Sequence, residues 1–171
     1  DFQYGAFERN DQWYPDWSCG LSNWTTLSDG GTTEAVKEEN GNHYGKVTGI
    51  ATLAQGLYMK ANRKEFTMDV KLVSGAARMV VKDIITGEIV AELPVSGNSW
   101  ASYSLPFTGT DRNLYLGIES LTEDTVVLID NAVVNHLDGE DTGDPRYPVK
   151  DQLVVDQPTT LVTLVNEDPS V

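Results

Sequence analysis

Asp130 stands at the centre of "VVLIDNAVV" (126–134), a stretch in which seven of nine residues are apolar. Alternate residues of a strand share a face. Regular alternation therefore puts Asp130 with Val126, Leu128, Ala132 and Val134, and puts Val127, Ile129, Asn131 and Val133 opposite. Both faces are apolar, so both are expected to be covered at least in part. A buried, unpaired carboxylate is costly, and it calls for a cation, a set of hydrogen-bond donors or a proton. A second acid ends an apolar face in "FQYGAFE" (2–8), where Glu8 follows Phe2, Tyr4 and Ala6. If the first and last strands of a domain pair, Glu8 and Asp130 meet, and two adjacent carboxylates repel unless a cation lies between them. Calcium suits such a place, with its hard oxygen ligands and flexible geometry. The pattern equally accommodates an Asp130 that accepts backbone N–H bonds at a strand end, with Glu8 solvated.

Aromatic side chains form the second candidate group. "QWYPDW" (12–17) brings Trp13, Tyr14 and Trp17 into a loop-like segment, with Trp24 close behind. Aromatic faces stack on pyranose rings, while a few polar groups take the hydroxyls. The segment reads as a glycan platform, a protein-contact patch or a flap folded over one end of the domain. Catalytic chemistry finds less support. The two histidines, His43 and His136, have neither metal-ligand nor triad spacing. No phosphate-cradling loop and no nucleophile elbow occurs. The acids Asp138, Glu140, Asp141 and Asp144 resemble the start of a calcium loop, but Val149 occupies the place of the closing bidentate Glu. A lone Cys19 permits no internal disulfide and reads as a small packed residue.

Composition narrows the function classes. A net charge of −14 argues against nucleic acid, which needs a basic footprint, and against anionic membrane surfaces. No run of about 18 apolar residues is present to span a bilayer. No charged-then-apolar leader precedes "DFQYGAFE". A removed leader, a fragment, or release by lysis would each account for that.

The elements that must position these residues are strands. Period-two alternation runs through "EFTMDVKLV" (65–73), "ARMVVKDI" (77–84), "EIVAEL" (88–93) and "WASYSLPF" (100–107). Gly- and Asn-rich turn signals divide them at the spacing of an all-β sandwich. Strands are expected near 2–8, 23–28, 33–38, 43–50, 51–59, 64–73, 77–84, 88–93, 100–107, 112–119 and 124–135. Residues 32–40 could instead hold a helical turn. The expected architecture is a two-sheet antiparallel β-sandwich over 1–136, an acidic linker over 137–151 and a strand-like arm over 152–171. The arm is too short to form a core alone and must pack on the domain, on a neighbouring subunit or on a further domain.

The order of these segments resembles the jelly-roll carbohydrate-binding modules attached to xylanases and glucanases. The resemblance rests on "GAFE" (5–8), "HYGKVTG" (43–49), "AQGLYM" (54–59), "KDIITGEIV" (82–90), "SWASYSLPFTG" (99–109), "LYLGIES" (114–120) and "LIDNAVV" (128–134). It implies a structural calcium on Glu8 and Asp130, completed by carbonyls near Ala6 and in the 42–46 turn. It implies that Trp100 packs in the core or at its rim. It also exposes departures. No aromatic lies between Ile50 and Gly56, where such modules carry one before the glycine. Gly117 precedes Glu119 where a second aromatic is frequent, and Tyr115 is displaced. Tyr58, Tyr103, Tyr115 and Glu119 are then the candidates on the sheet face, unless the 12–24 segment has taken over.

The functional expectation is a non-catalytic domain outside the cell or on a virion surface. It would bind a polysaccharide or cell-surface glycan. The alternative is a decoration or fibre component of a phage particle, with no sugar site and with protein contacts through 137–171.

Overall fold

A computed structural model of the protein describes residues 24–139. Ten strands occur in that span: β1 Thr25–Ser28, β2 Thr32–Lys37, β3 His43–Thr48, β4 Ala51–Met59, β5 Arg63–Ser74, β6 Ala77–Asp83, β7 Ile89–Val95, β8 Ala101–Thr108, β9 Arg112–Ser120 and β10 Val126–His136. All pairings are antiparallel, in two five-stranded sheets. The first runs β1-β4-β9-β6-β7 and the second β2-β3-β10-β5-β8. The architecture is the all-β sandwich expected from the alternation. Residues 32–37 take the strand option rather than the helical turn. The strand expected over 2–8 lies outside the described residues, as does nearly all of 137–171.

The core follows from period two. Leu53, Leu57 and Met59 of β4, Leu114, Leu116 and Ile118 of β9, and Met79 and Val81 of β6 point inward from the first sheet. Phe66, Met68 and Val70 of β5, Leu105 and Phe107 of β8, and Val127 and Ile129 of β10 meet them from the second. Each inward set leaves the intervening residues on an outer face, so the facing of every candidate residue can be read from its strand.

β10 breaks its own alternation. Asp130 pairs with Asp69 and Val133 with Thr67, so β10 carries one residue more than β5 over this span. This is a β-bulge, and Asn131 sits in it with φ at 52°. The extra residue shifts the parity. Val127 and Ile129 face the core before the bulge, and Ala132 and Val134 face it afterwards. Asp130 therefore shares the outer face with Val126 and Leu128 before the bulge and with Val133 and Asn135 after it, and not with Ala132 and Val134 as regular alternation requires. The inner face is continuous across the change of phase, while Val126, Leu128 and Val133 supply the apolar residues of the outer face.

Candidate functional site

On the first sheet, the register lays out the outer face in rows. Thr52 lies beside Glu119 and Arg78, Ala54 beside Gly117 and Val80, and Gly56 beside Tyr115 and Lys82. Ala54, Gly56 and Gly117 line the middle of this face with small residues, but this floor is covered: Ala54 and the adjoining Val80 are 0% exposed, and Ile84 Cδ1 lies 2.9 Å from where a Cβ on Gly56 would stand. At Gly117 the strands approach so closely that a Cβ would lie 2.0 Å from the Leu53 carbonyl oxygen. Tyr115 stands half-buried at one end of the floor. Tyr58 is on the same face, but it is 8% exposed and its hydroxyl makes a long 3.4 Å bond to Asp111 Oδ1. It is a wall rather than a stacking surface.

Charged groups border this face, with Arg78 beside Glu119 and Lys82 beside Tyr115. Arg78 Nε and Nη2 each lie 2.7 Å from Glu119 Oε1, and Lys82 Nζ lies 3.1 Å from Oε2. Arg78 also pairs with Glu92. Burial pushes Glu119 upward, but the hydrogen bonds and charges of Arg78 and Lys82 outweigh it and hold the carboxyl below its usual range. Glu119 is therefore an anion engaged by two cations, not an isolated acceptor. The sequence reading named Glu119 but not Arg78 or Lys82. Their positions on β6, at residues i and i+4 of one strand face, carry the signal that was available.

The other candidates separate. Tyr103 is on β8 of the second sheet and points inward among residues that pack on the core. Its hydroxyl donates to the Ser96 carbonyl at 2.5 Å and accepts from the Ser96 N–H at 3.1 Å, tying down the β7–β8 turn. It takes no part in the first-sheet face. Trp24 packs against the core just before β1 rather than standing on an exposed platform. Glu8, Trp13, Tyr14 and Trp17 lie outside the described residues.

Asp130 is 6% exposed although it points away from the core. Its Oδ1 accepts the Asn131 N–H at 2.9 Å. The neighbouring Asn131 Nδ2 donates to Asp69 Oδ2 at 2.8 Å, and Ser102 donates to Asp69 Oδ1 at 2.5 Å. The bulge thus ties three strands of the second sheet together. Among the described residues no cluster of three or more His, Cys, Asp or Glu could hold a metal ion.

Trp100 departs from its expected place in the core or at its rim. It is 40% exposed and meets Tyr44 edge to face, with ring centroids 5.9 Å apart and planes at 70°. Tyr44 lies on β3 and Trp100 immediately precedes β8, with β10 and β5 between them. Rings that meet across that gap must reach over both intervening strands on the outer face of the second sheet. Leu128, 9% exposed, and Asp130 belong to the strand beneath.

No protein-family model matches the sequence. Among curated proteins, β-porphyranase A of Phocaeicola plebeius is 30% identical over 120 residues, which is 68% of this chain and 16% of that protein. The chain therefore spans about a sixth of the length of the curated relative it matches. Among solved structures, the C-terminal family 22 carbohydrate-binding module of a Clostridium thermocellum xylanase matches with a TM-score of 0.56 and 13% identity, over 74% of this chain and 94% of that one. Tailspike protein 4 of bacteriophage CBA120 matches with a TM-score of 0.51 and 14% identity, over 68% of this chain and 20% of that one. The β-sandwich is thus of the kind found in carbohydrate-binding modules.

Proposed function

We propose that the chain is a non-catalytic carbohydrate-binding domain that lays a polysaccharide across the outer face of its first sheet. One observation carries the reading. In a sandwich of the carbohydrate-binding-module kind, the half-buried Tyr115 stands on the outer face of the first sheet directly beside Lys82, whose Nζ joins Glu119 and Arg78 in one charged network. A sugar ring needs a flat apolar surface and, beside it, groups that both donate and accept. Tyr115 supplies the first. Lys82 and Glu119 supply the second, since a carboxylate oxygen holding one cation retains a lone pair for a hydroxyl. Pairing also fixes these side chains before the ligand arrives, which reduces the ordering cost of binding.

The likeness to a sixth of a longer enzyme fits a module carried beside a catalytic domain, holding it or a particle on a glycan outside the cell. Affinity electrophoresis in gels containing xylan, β-1,4-galactan or agarose tests the reading. The full chain is expected to be retarded by at least one polymer, and Tyr115→Ala to weaken that retardation about tenfold, the loss of a stacking contact of about 1.4 kcal/mol.

A structural calcium at Asp130 belongs to the same proposal. Asp130 is a covered carboxylate, and the start of β3, where a carbonyl ligand is expected, runs alongside it with Gly45 opposite Ile129. Glu8 would supply the second carboxylate. The ion would join the two ends of the domain and take no part in binding.

The likeness to a tailspike favours a second reading, attachment at a virion surface. Under that reading no polysaccharide retards the chain, and a neighbouring chain contacts 137–171.

A further inference from the structure

We propose a second carbohydrate-binding surface, on the outer face of the second sheet, with Trp100 and Tyr44 as its stacking platform. It is independent of the first-sheet reading, because the two faces lie on opposite sides of the sandwich.

The platform is made by the fold. A tryptophan at the mouth of β8 and a tyrosine on β3 are three strand positions apart in the order of the sheet, yet their rings meet at 5.9 Å. Each ring braces the other at 70°, so Trp100 keeps a fixed orientation while remaining 40% exposed. An indole held still and open to solvent binds with little loss of rotamer freedom.

The surrounding groups define what covers it. Lys46 and Lys71 both lie opposite Leu128, one on each side, and therefore stand roughly 10 Å apart across the row, two strand spacings. Among the described residues neither lysine forms an ion pair. In the next row Asp69 and Ser102 supply an acceptor and a hydroxyl. On β2 Glu34 lies opposite Lys46, so in these rows Lys46 and Lys71 stand against Glu34, Asp69 and Asp130, and no cationic field selects an anionic partner. A mixture of donors and acceptors around one aromatic plane fits the hydroxyls and apolar face of an uncharged pyranose. A protein partner fits less well, because the ring pair, Leu128 and Val36 are interspersed with Lys46, Lys71, Glu34 and Asp69, and charged residues are depleted at the core of protein interfaces.

Two sites facing opposite ways make one domain bivalent. A bivalent domain bridges polymer chains and gains avidity on a dense matrix without any new contact.

The test uses the full chain and the same gels of xylan, β-1,4-galactan and agarose, with Trp100→Ala, Tyr44→Ala, Tyr115→Ala and the double variant Trp100→Ala/Tyr115→Ala. Circular dichroism and melting confirm that each is folded. Trp100→Phe, which keeps a ring, controls for loss of packing. The expected result is that Trp100→Ala weakens retardation about tenfold, Trp100→Phe restores most of it, Tyr115→Ala leaves residual binding, and the double variant abolishes it. The wild type should also cross-link the soluble polymer into a precipitate that Trp100→Ala prevents. Wild-type retardation by both Trp100→Ala and Tyr44→Ala, with Tyr115→Ala alone abolishing binding, would overturn this second surface and leave the first standing. Failure of the unaltered chain to bind any of the polymers would overturn both.

Discussion

Asn131 holds φ at 52° inside a strand, a conformation that costs most residues roughly 1–2 kcal/mol and costs Asn least after Gly. That backbone angle seats the extra residue of β10 and turns Ala132 and Val134, beyond it, to the inner face. Replacing Asn131 by Gly or by Ala removes the same 2.8 Å bond to Asp69, so the difference between the two variants isolates the backbone. Urea unfolding should find Asn131→Ala less stable than Asn131→Gly by about 1 kcal/mol. Equal stabilities would mean that the bulge is not held by this residue. The sequence showed an acid in an apolar run and led to the right question about Asp130. It did not show the bulge, because an Asp-Asn pair between valines fits regular alternation as well as a change of phase. Period two then gave the wrong neighbours for Asp130 beyond the bulge.

The ten described strands were legible from alternation and turn signals, since each strand buries one face and must alternate to do so. What alternation does not encode is the sheet to which a strand belongs. Tyr103 was therefore grouped with Tyr58 and Tyr115, although β8 lies at the edge of the second sheet and presents Tyr103 inward. Trp100 is expected in the core or at its rim for the complementary reason: an aromatic at a strand start gives no sign that a partner three strand positions away holds it on the surface. At this scale calcium is the element that would couple β10 to the beginning of the chain. Stripping the metal with EDTA should lower the melting temperature by several degrees, and Asp130→Asn should do the same and cancel the EDTA effect, since 1 kcal/mol shifts a domain of this size by about 4 °C. A melting temperature unmoved by EDTA in the unaltered chain would remove calcium from the account.

The whole molecule carries a charge of −14, and its acids are not equivalent. Asp83 accepts the N–H groups of Thr86 and Ile85 at 2.8 Å each and pairs with Arg112 at 2.7 Å, contacts that hold its carboxyl below the usual range. Asp138, the first acid of the segment expected to be a solvated linker, is instead bound to Arg63 through its guanidinium and its backbone N–H, and it too is lowered. Glu119 completes the set. A carboxyl whose folded pKa is depressed adds stability above its unfolded value, near pH 4, and loses it as the pH falls through the folded value. Melting temperature should therefore be level above about pH 5 and fall below about pH 4. Asp83→Asn should flatten that fall, and an unchanged acid slope in this variant would show that the Asp83 contacts do not contribute.

The binding claim rests on the first-sheet face, where small residues and paired charges are arranged by β4, β9 and β6. Affinity electrophoresis of the full chain against neutral polysaccharides, with Tyr115→Ala alongside, tests it most directly. The account predicts retardation by at least one polymer and about tenfold weaker binding in Tyr115→Ala. Migration unaffected by every polymer, or binding that Tyr115→Ala leaves untouched, would contradict it.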